Sequence, residues 1–210
     1  MVPKLPDGIR QMMATREWRI HHYLWHEVRN GWLAFDAATQ QAIKQLGWEP
    51  PRSARTKPDE NGQSQPILHN NSGEDFLYMH RQMIAAVNAE LARIADPQYP
   101  SVKGWPSIPR PKDPDYPFPP AWNSGDPDLD KYLLRVKSDS AFNSSFGPWE
   151  SDYTNTGKLA TWSLGELGAR VEFTIHNQMH MRCAPSQSTQ EFDQMSISHI
   201  RKRLTRSGTM

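Results

Sequence analysis

Apolar side chains recur at helical spacing in several stretches of the chain, and polar or proline-rich segments separate these stretches. The first stretch predicts a helix over residues 9–35 that is apolar on most of its circumference. A second predicted helix covers residues 36–47, with Asp36 as its N-cap and Gly47 as its C-terminal stop. A third begins at about residue 73 and continues to residue 95.

The second half of the chain alternates between irregular and helical patterns. Residues 96–122 hold many prolines, which exclude helix interiors and predict extended chain packed on the helices. A short helix is expected over residues 127–136, whereas the Ser-, Asn- and Gly-rich residues 137–157 predict a loop. Apolar spacings of three and four then predict a last helix over residues 158–182.

These patterns together predict a mainly α protein with long irregular connections. Its 210 residues are enough for one domain with a sizeable core. We place that domain at residues 1–185, because the apolar patterning stops near residue 185 and the remaining residues 186–210 form a polar tail.

The net charge of the chain does not indicate a charged partner. Lys and Arg number 24 and Asp and Glu number 23, so neither nucleic acid nor a membrane surface is indicated as a partner. Cys183 is the only cysteine, which excludes an internal disulfide. The first residues lack an apolar run typical of a signal peptide, and no stretch is long enough for a transmembrane helix, so a cytoplasmic location is favoured.

The candidate functional residues of the chain are histidines. Seven of the eight histidines fall in three short windows, residues 21–26, 69–80 and 176–180. The pairs His22/His26 and His176/His180 stand four residues apart, so each pair projects from one face of its predicted helix and can share a metal ion. One such pair is common by chance, but three windows without accompanying thiolates indicate an imidazole site for copper or zinc.

Two carboxylates, Glu74 and Asp75, stand in the first turn of the third predicted helix. Carboxylates at this end stabilise a helix through its dipole. We therefore expect them to stabilise the start of the helix, or to form a salt bridge with Arg81, rather than to act in catalysis.

Two of the histidine windows resemble the copper-binding motifs of a known family. Residues 76–81, FLYMHR, resemble the FLPWHR segment of tyrosinases, and residues 176–180, HNQMH, resemble their HNxxH segment. The longer strings GEDFLYMHRQMI and IHNQMHMR resemble more closely the bacterial tyrosinase-like proteins of pyoverdine-type biosynthesis clusters. The resemblance covers roughly residues 18–182.

This resemblance implies an antiparallel helix bundle that holds two copper ions, each bound by three histidines. Such centres use O2 to oxidise phenols to o-quinones, so the implied substrate is a phenolic small molecule or a tyrosine within a peptide metabolite. The motifs make His80 a ligand of the first copper and His176 and His180 ligands of the second. Asn177 matches a position that orients a water which helps to deprotonate the phenol.

The other two ligands of the first copper have two candidate sets. The tyrosinase pattern takes one ligand from an upstream helix and one from a loop before the FLPWHR histidine, which selects His26 and His69. Arthropod haemocyanins take both from one helix at a spacing of four, which selects His22 and His26. His26 belongs to both sets.

The third ligand of the second copper is the weakest part of the match. Only His199 follows His180, and its surroundings, SISHIRKRLTRSGTM, differ from the family's segment, which is rich in Asp, Phe and Trp. The alternative hypothesis is therefore a non-catalytic, incomplete copper- or O2-binding domain. A zinc hydrolase ranks third, because no HExxH-type general base stands beside a histidine pair.

Overall fold

A computed structural model describes residues 5–48, 52–114 and 116–184. Within these ranges the protein is mainly helical and contains no β-strand, so the predicted fold class is confirmed at this level. The polar tail predicted for residues 186–210 lies outside the described residues. None of the helices within the described ranges combines the length and the apolar character that crossing a membrane requires.

The described residues form ten α-helices and two π-helical segments, and the π-helical segments lie directly before α7 and α10. The α-helices are α1 Asp7–Ala14, α2 Arg16–Gly31, α3 Ala37–Gln45, α4 Ser72–Ile94, α5 Pro127–Val136, α6 Asp139–Ala141, α7 Gly147–Thr154, α8 Thr156–Leu159, α9 Leu164–Val171 and α10 Asn177–Cys183. The π-helical segments are Phe142–Phe146 and Glu172–His176.

The chain divides into two compact units. The first unit comprises Met1–Pro109 and Pro148–Asn177, and it holds α1 to α4, α8 and α9. The second comprises Arg110–Gly147 and Gln178–Met210, and within its described residues it holds α5 and α6. His22, His26, His80 and His176 all belong to the first unit.

The first predicted helix is two helices. Thr15 has an extended ψ of 149°, which ends α1, and its hydroxyl accepts a hydrogen bond from Trp18 N that caps α2. The apolar pattern continues through this break because both helices bury residues. Ile9 of α1 is fully buried against Val87 and Leu91 of α4.

Helix α4 is the longest described helix, and α9 packs closely against its start at Gly73. A Cβ added at Gly73 would lie 2.0 Å from the carbonyl oxygen of Gly165 and 2.1 Å from the amide nitrogen of Ala169. A side chain at residue 73 would therefore separate the two helices. The glycines bring the start of α4 close to α9, which leads directly into the π-helical segment that ends at His176.

The loop predicted for residues 137–157 is wrong, because this segment is mostly helical. The Ser138 hydroxyl accepts a hydrogen bond from Ala141 N, 3.0 Å away, and so caps α6. Phe142 and Phe146 then stack at 5.7 Å between ring centroids and are fully buried. Burial of these two rings outweighs the weak helix propensity of the intervening Asn and Ser residues.

The last predicted helix, residues 158–182, is interrupted. Helix α8 ends at Leu159, and α9 begins only after Ser163, whose hydroxyl accepts a hydrogen bond from Glu166 N at 3.1 Å. From Leu164 onward the chain is helical to Cys183, with the π-helical segment Glu172–His176 inside it.

Two basic side chains, the half-buried Lys137 and the buried Arg182, join several segments within the second unit. The Lys137 ammonium donates to the carbonyl oxygens of Pro119, Arg182 and Ala184 at 2.8–3.0 Å. The Arg182 guanidinium lies 4.5 Å from the ring centroid of Phe118 and donates to the carbonyl oxygen of Val136 at 2.8 Å. These contacts stabilise the C-terminal end of α10, where the last carbonyl groups have no helical partner.

Candidate metal centre

Four histidines from three helical segments meet inside the first unit. His22 and His26 lie one turn apart on α2, His80 lies in the middle of α4, and His176 is the last residue of the π-helical segment before α10. The spacing of four on α2 places two imidazoles on the face that meets α4. All four side chains are partly buried.

The ring nitrogens that face one another are the Nε2 atoms. His80 Nε2 lies 3.2 Å from His22 Nε2 and 3.0 Å from His176 Nε2, and His22 Nε2 lies 3.2 Å from His26 Nε2. One nitrogen of each histidine lies within 4.8 Å of the corresponding nitrogen of every other. These separations are close enough for one metal ion to bind all four.

The outer nitrogens of two of these rings have acceptors, which fixes the position of their protons. His80 Nδ1 lies 2.9 Å from the carbonyl oxygen of Phe76, and His26 Nδ1 lies 3.0 Å from Glu172 Oε1. A carbonyl or carboxylate oxygen only accepts, so each Nδ1 carries the proton. In the neutral imidazole, Nε2 then carries a lone pair that points into the group.

A buried ion pair between Glu172 and Arg29 contacts His26 at its Nδ1 nitrogen. Glu172 is 2% exposed, and its Oε1 also accepts a hydrogen bond of 2.7 Å from Arg29, which is 1% exposed. The same guanidinium donates to the carbonyl oxygen of Ser72 at 2.7 Å and lies 4.1 Å from the ring centroid of Trp25. The pair therefore joins α2 to the start of α4 and to the π-helical segment, at the level of the histidines.

Glu172 and Arg29 were not among the residues predicted from the sequence to act at the site. Each stands close to a histidine in sequence, Glu172 four residues before His176 and Arg29 three residues after His26. These are one-turn spacings, so the signal was a charged residue on the same helix face as a candidate ligand. The pairing between them, 143 residues apart, depends on the tertiary fold.

Aromatic rings enclose part of the group. Phe76 is 3% exposed, and its ring centroid lies 4.2 Å from that of His80 and 4.9 Å from that of His176. The Trp25 ring lies 5.0 Å from that of His26. This apolar surround lowers the local dielectric and strengthens the electrostatic interactions of any ion bound there.

The remaining predicted site residues lie outside the four-histidine group. His69 is exposed in a bend before α4, and His180 is exposed on α10. Asn177, the first residue of α10, is also exposed. His199 lies in the part of the chain that is not described.

Glu74 and Asp75 lie in the first turn of α4, as the sequence predicts, and both face Arg52 in the preceding loop. Arg52 Nη1 lies 3.3 Å from Glu74 Oε2, 3.7 Å from Asp75 Oδ1 and 2.6 Å from the carbonyl oxygen of Asn71. The basic partner of these carboxylates among the described ion pairs is therefore Arg52, where the sequence suggested Arg81.

Comparison with known proteins assigns no family to this centre. No protein-family model matches the chain, and no curated protein matches it. The chemistry of the centre is therefore argued from its own donors and their geometry.

Proposed function

We propose that the chain is a copper-dependent oxidoreductase that uses O2 to oxidise phenols, with His22, His26, His80 and His176 as copper ligands. The observation that carries the metal part of this proposal is the convergence of four imidazole nitrogens, one from each histidine, within 4.8 Å of one another. The phenol-oxidising part rests on the resemblance of residues 76–81 and 176–180 to the copper motifs of tyrosinases.

The donor set fits a transition metal. Because acceptors hold the outer protons of His26 and His80 on Nδ1, the Nε2 atoms of these two rings carry lone pairs in the neutral form. These atoms lie 3.0–3.2 Å from Nε2 of His22 or His176, so a cation among the nitrogens would be bound by all four rings once His22 and His176 also present lone pairs. Imidazoles without a thiolate or carboxylate in the group suit copper, zinc, iron or nickel, and disfavour magnesium and calcium. The resemblance selects copper from this set.

Copper bound here would supply the one-electron steps that couple phenol oxidation to reduction of O2. For an o-diphenol the overall balance is simple. Two diphenols each lose two electrons and two protons to become o-quinones, and one O2 takes the four electrons and four protons to become two waters.

The chain's own residues hold the ligands in place. The carbonyl oxygen of Phe76 and the carboxylate of Glu172 keep the protons of His80 and His26 on Nδ1, so Nε2 is the nitrogen of each ring that would bind copper. The rings of Phe76 and Trp25 reduce the access of water. Asn177 is proposed, from the resemblance alone, to orient a water that takes the proton of the phenol.

A second candidate function is favoured by a specific observation. The four nitrogens cluster around one position, whereas the resemblance implies two copper ions with three histidines each. His69 and His180 lie outside the group. A single copper ion bound by four imidazoles, without oxidase activity, is therefore the alternative.

One experiment separates these functions. The full chain is expressed with copper and purified, its bound copper is counted, and O2 uptake is measured with 4-methylcatechol. Two ions per chain with quinone formation support a dicopper oxidase. One ion without O2 uptake supports the non-catalytic alternative, and no bound copper overturns both.

Histidine variants supply the matched controls. His80→Gln and His176→Gln remove proposed ligands, so both should lower the copper content. His21→Gln changes a neighbouring histidine that is exposed and stacks on Trp48, with 6.2 Å between ring centroids, and it should leave the copper content unchanged. Equal copper loss in all three variants would indicate adventitious surface binding.

A further inference from the structure

A cavity in the first unit lies between α2 and α4, and it is separate from the histidine group. It has a volume of about 490 Å³, and none of the four clustered histidines lines it. Its walls include Trp18, Trp25, Tyr78, Met79 and Met83. Trp25 is shared with the candidate metal centre, because its ring also contacts His26.

The walls are suited to a flat hydrocarbon ring. Two indoles, a phenol ring and two thioethers give an apolar surface on which an aromatic ligand can stack. The same indoles and phenol ring present electron-rich faces that attract a cation. Trp25 already accepts one cation in this way, since the Arg29 guanidinium lies 4.1 Å from its ring centroid.

One carboxylate lies in this apolar wall. Asp75 lines the cavity, and its side chain is 14% exposed. Asp75 Oδ1 lies 3.7 Å from Arg52 Nη1, beyond hydrogen-bond range, and Asp75 Oδ2 is buried without a hydrogen-bond partner among the described residues. Because Oδ2 is buried, the exposed part of the side chain presents Oδ1, whose described partner is the 3.7 Å ion pair with Arg52, and Oδ1 can accept a hydrogen bond from a ligand in the cavity.

We propose that this cavity binds a small aromatic molecule that carries an ammonium group. The ring stacks among Trp18, Trp25 and Tyr78, and the ammonium donates to Asp75. Burial raises the pKa of the Asp75 carboxyl, which agrees with a group that lacks a full set of partners in the free protein. A ligand with a carboxylate in place of the ammonium is disfavoured, because it would face Asp75 with like charge.

The proposal is tested by calorimetry on the full chain with three probes that share one ring. Phenethylamine carries the ammonium, 2-phenylethanol is neutral, and phenylacetate is an anion. None of them is a phenol, so phenol oxidation does not enter the readout, and chelator-treated protein prevents the amine or the carboxylate from binding copper. Phenethylamine should bind about tenfold or more tightly than 2-phenylethanol, and phenylacetate should not bind measurably. Equal binding of phenylacetate and phenethylamine would overturn the proposal.

Variants locate the binding. Asp75→Asn should lower the affinity for phenethylamine about tenfold and leave the affinity for 2-phenylethanol unchanged. Glu74→Gln alters the adjacent carboxylate and should change neither affinity. Ala86→Trp fills the cavity from an exposed position of α4 and should abolish binding of both, which keeps the test decisive if Asp75→Asn does not fold. Unchanged binding in Ala86→Trp would place the ligand elsewhere and refute the site.

Discussion

His26 Nδ1 lies 3.0 Å from Glu172 Oε1, and that oxygen also accepts a hydrogen bond from Arg29. The two side chains of the ion pair are almost completely buried, so the position of the His26 ring is set by charges that water does not screen. Holding the four imidazoles together requires that this ion pair be buried. The ion pair is therefore a structural part of the centre, as the histidines are.

Glu172→Gln tests that relationship. The amide keeps the size of the side chain but loses the charge that holds Arg29 and orients His26, so copper affinity should fall about 10–100-fold. The measurement is a competition titration with a chromogenic copper chelator. Glu74→Gln, at a carboxylate that lies outside the histidine group, is the matched control and should bind copper like the wild type.

Loss of fold must be separated from loss of affinity in this experiment. Arg29 would be left buried with a weaker partner, which costs stability as well. Thermal unfolding of the metal-free variant reports that cost directly. If Glu172→Gln binds copper as tightly as the wild type, the carboxylate has no role in positioning His26.

The choice between His22 and His69 is open to a direct comparison. His22 Nε2 lies within 3.2 Å of both His26 and His80, whereas His69 is exposed before α4. His22→Gln should therefore lower the copper content per chain, and His69→Gln should leave it unchanged. Elemental analysis of the two purified variants measures this, and copper loss in His69→Gln alone would select the tyrosinase-type ligand set.

Much of the candidate site could be predicted from the sequence, because local spacing carries it. A separation of four residues places His22 and His26 on one helix face whatever the remaining fold, and a helical pattern puts His80 on a buried helix. His180 shows the limit of this reasoning. It has the same spacing from His176, yet it is exposed and outside the group, because spacing sets the direction of a side chain only relative to its own helix.

The fold shows the same division between local and tertiary signals. Asp126 at an N-cap and Pro127 at the first helical position predict α5 with its observed bounds. Helix α6 and the π-helical segment after it could not be predicted from propensity, because they depend on burial of Phe142 and Phe146. Similarly, nothing local distinguishes Gly73 as the point where α4 meets α9.

Gly73→Ala tests that helix contact. The added methyl would lie about 2 Å from backbone atoms of Gly165 and Ala169, which cannot move independently of α9. We expect a loss of about 3 kcal/mol or more in the free energy of unfolding, at the upper end of overpacking effects. Urea denaturation followed by circular dichroism measures it.

Gly104→Ala is the control for that substitution. A Cβ at Gly104 would have no neighbour within 4 Å, so its stability should stay within about 0.5 kcal/mol of the wild type. His80 lies on α4, and His176 ends the π-helical segment that directly follows α9, so Gly73→Ala should also weaken copper binding. Equal stability of the two variants would contradict the close packing of α4 on α9.

The Asp75 carboxyl should give the folded protein a characteristic pH dependence. Burial raises the pKa of Asp75 above its ordinary 3.8, against the opposing charges of Arg52 and Arg29. Between the two pKa values the folded chain binds more protons than the unfolded chain, so this group lowers stability as pH rises through that window. Asp75→Asn should remove this contribution, which urea midpoints at acidic and neutral pH would detect as a smaller decline.

Lys137→Met tests the centre of the second unit. The ammonium donates to three carbonyl oxygens, two of which belong to Arg182 and Ala184 at the end of α10. Methionine fills similar space but supplies no donor, so those oxygens lose their partner and the unfolding free energy should fall by about 2–4 kcal/mol. Lys131→Met removes an exposed lysine whose ion pair with Asp128 spans 4.0 Å, and it should change stability by less than about 0.5 kcal/mol. Thermal unfolding of both variants measures the difference, and equal melting temperatures would show that Lys137 does not stabilise α10.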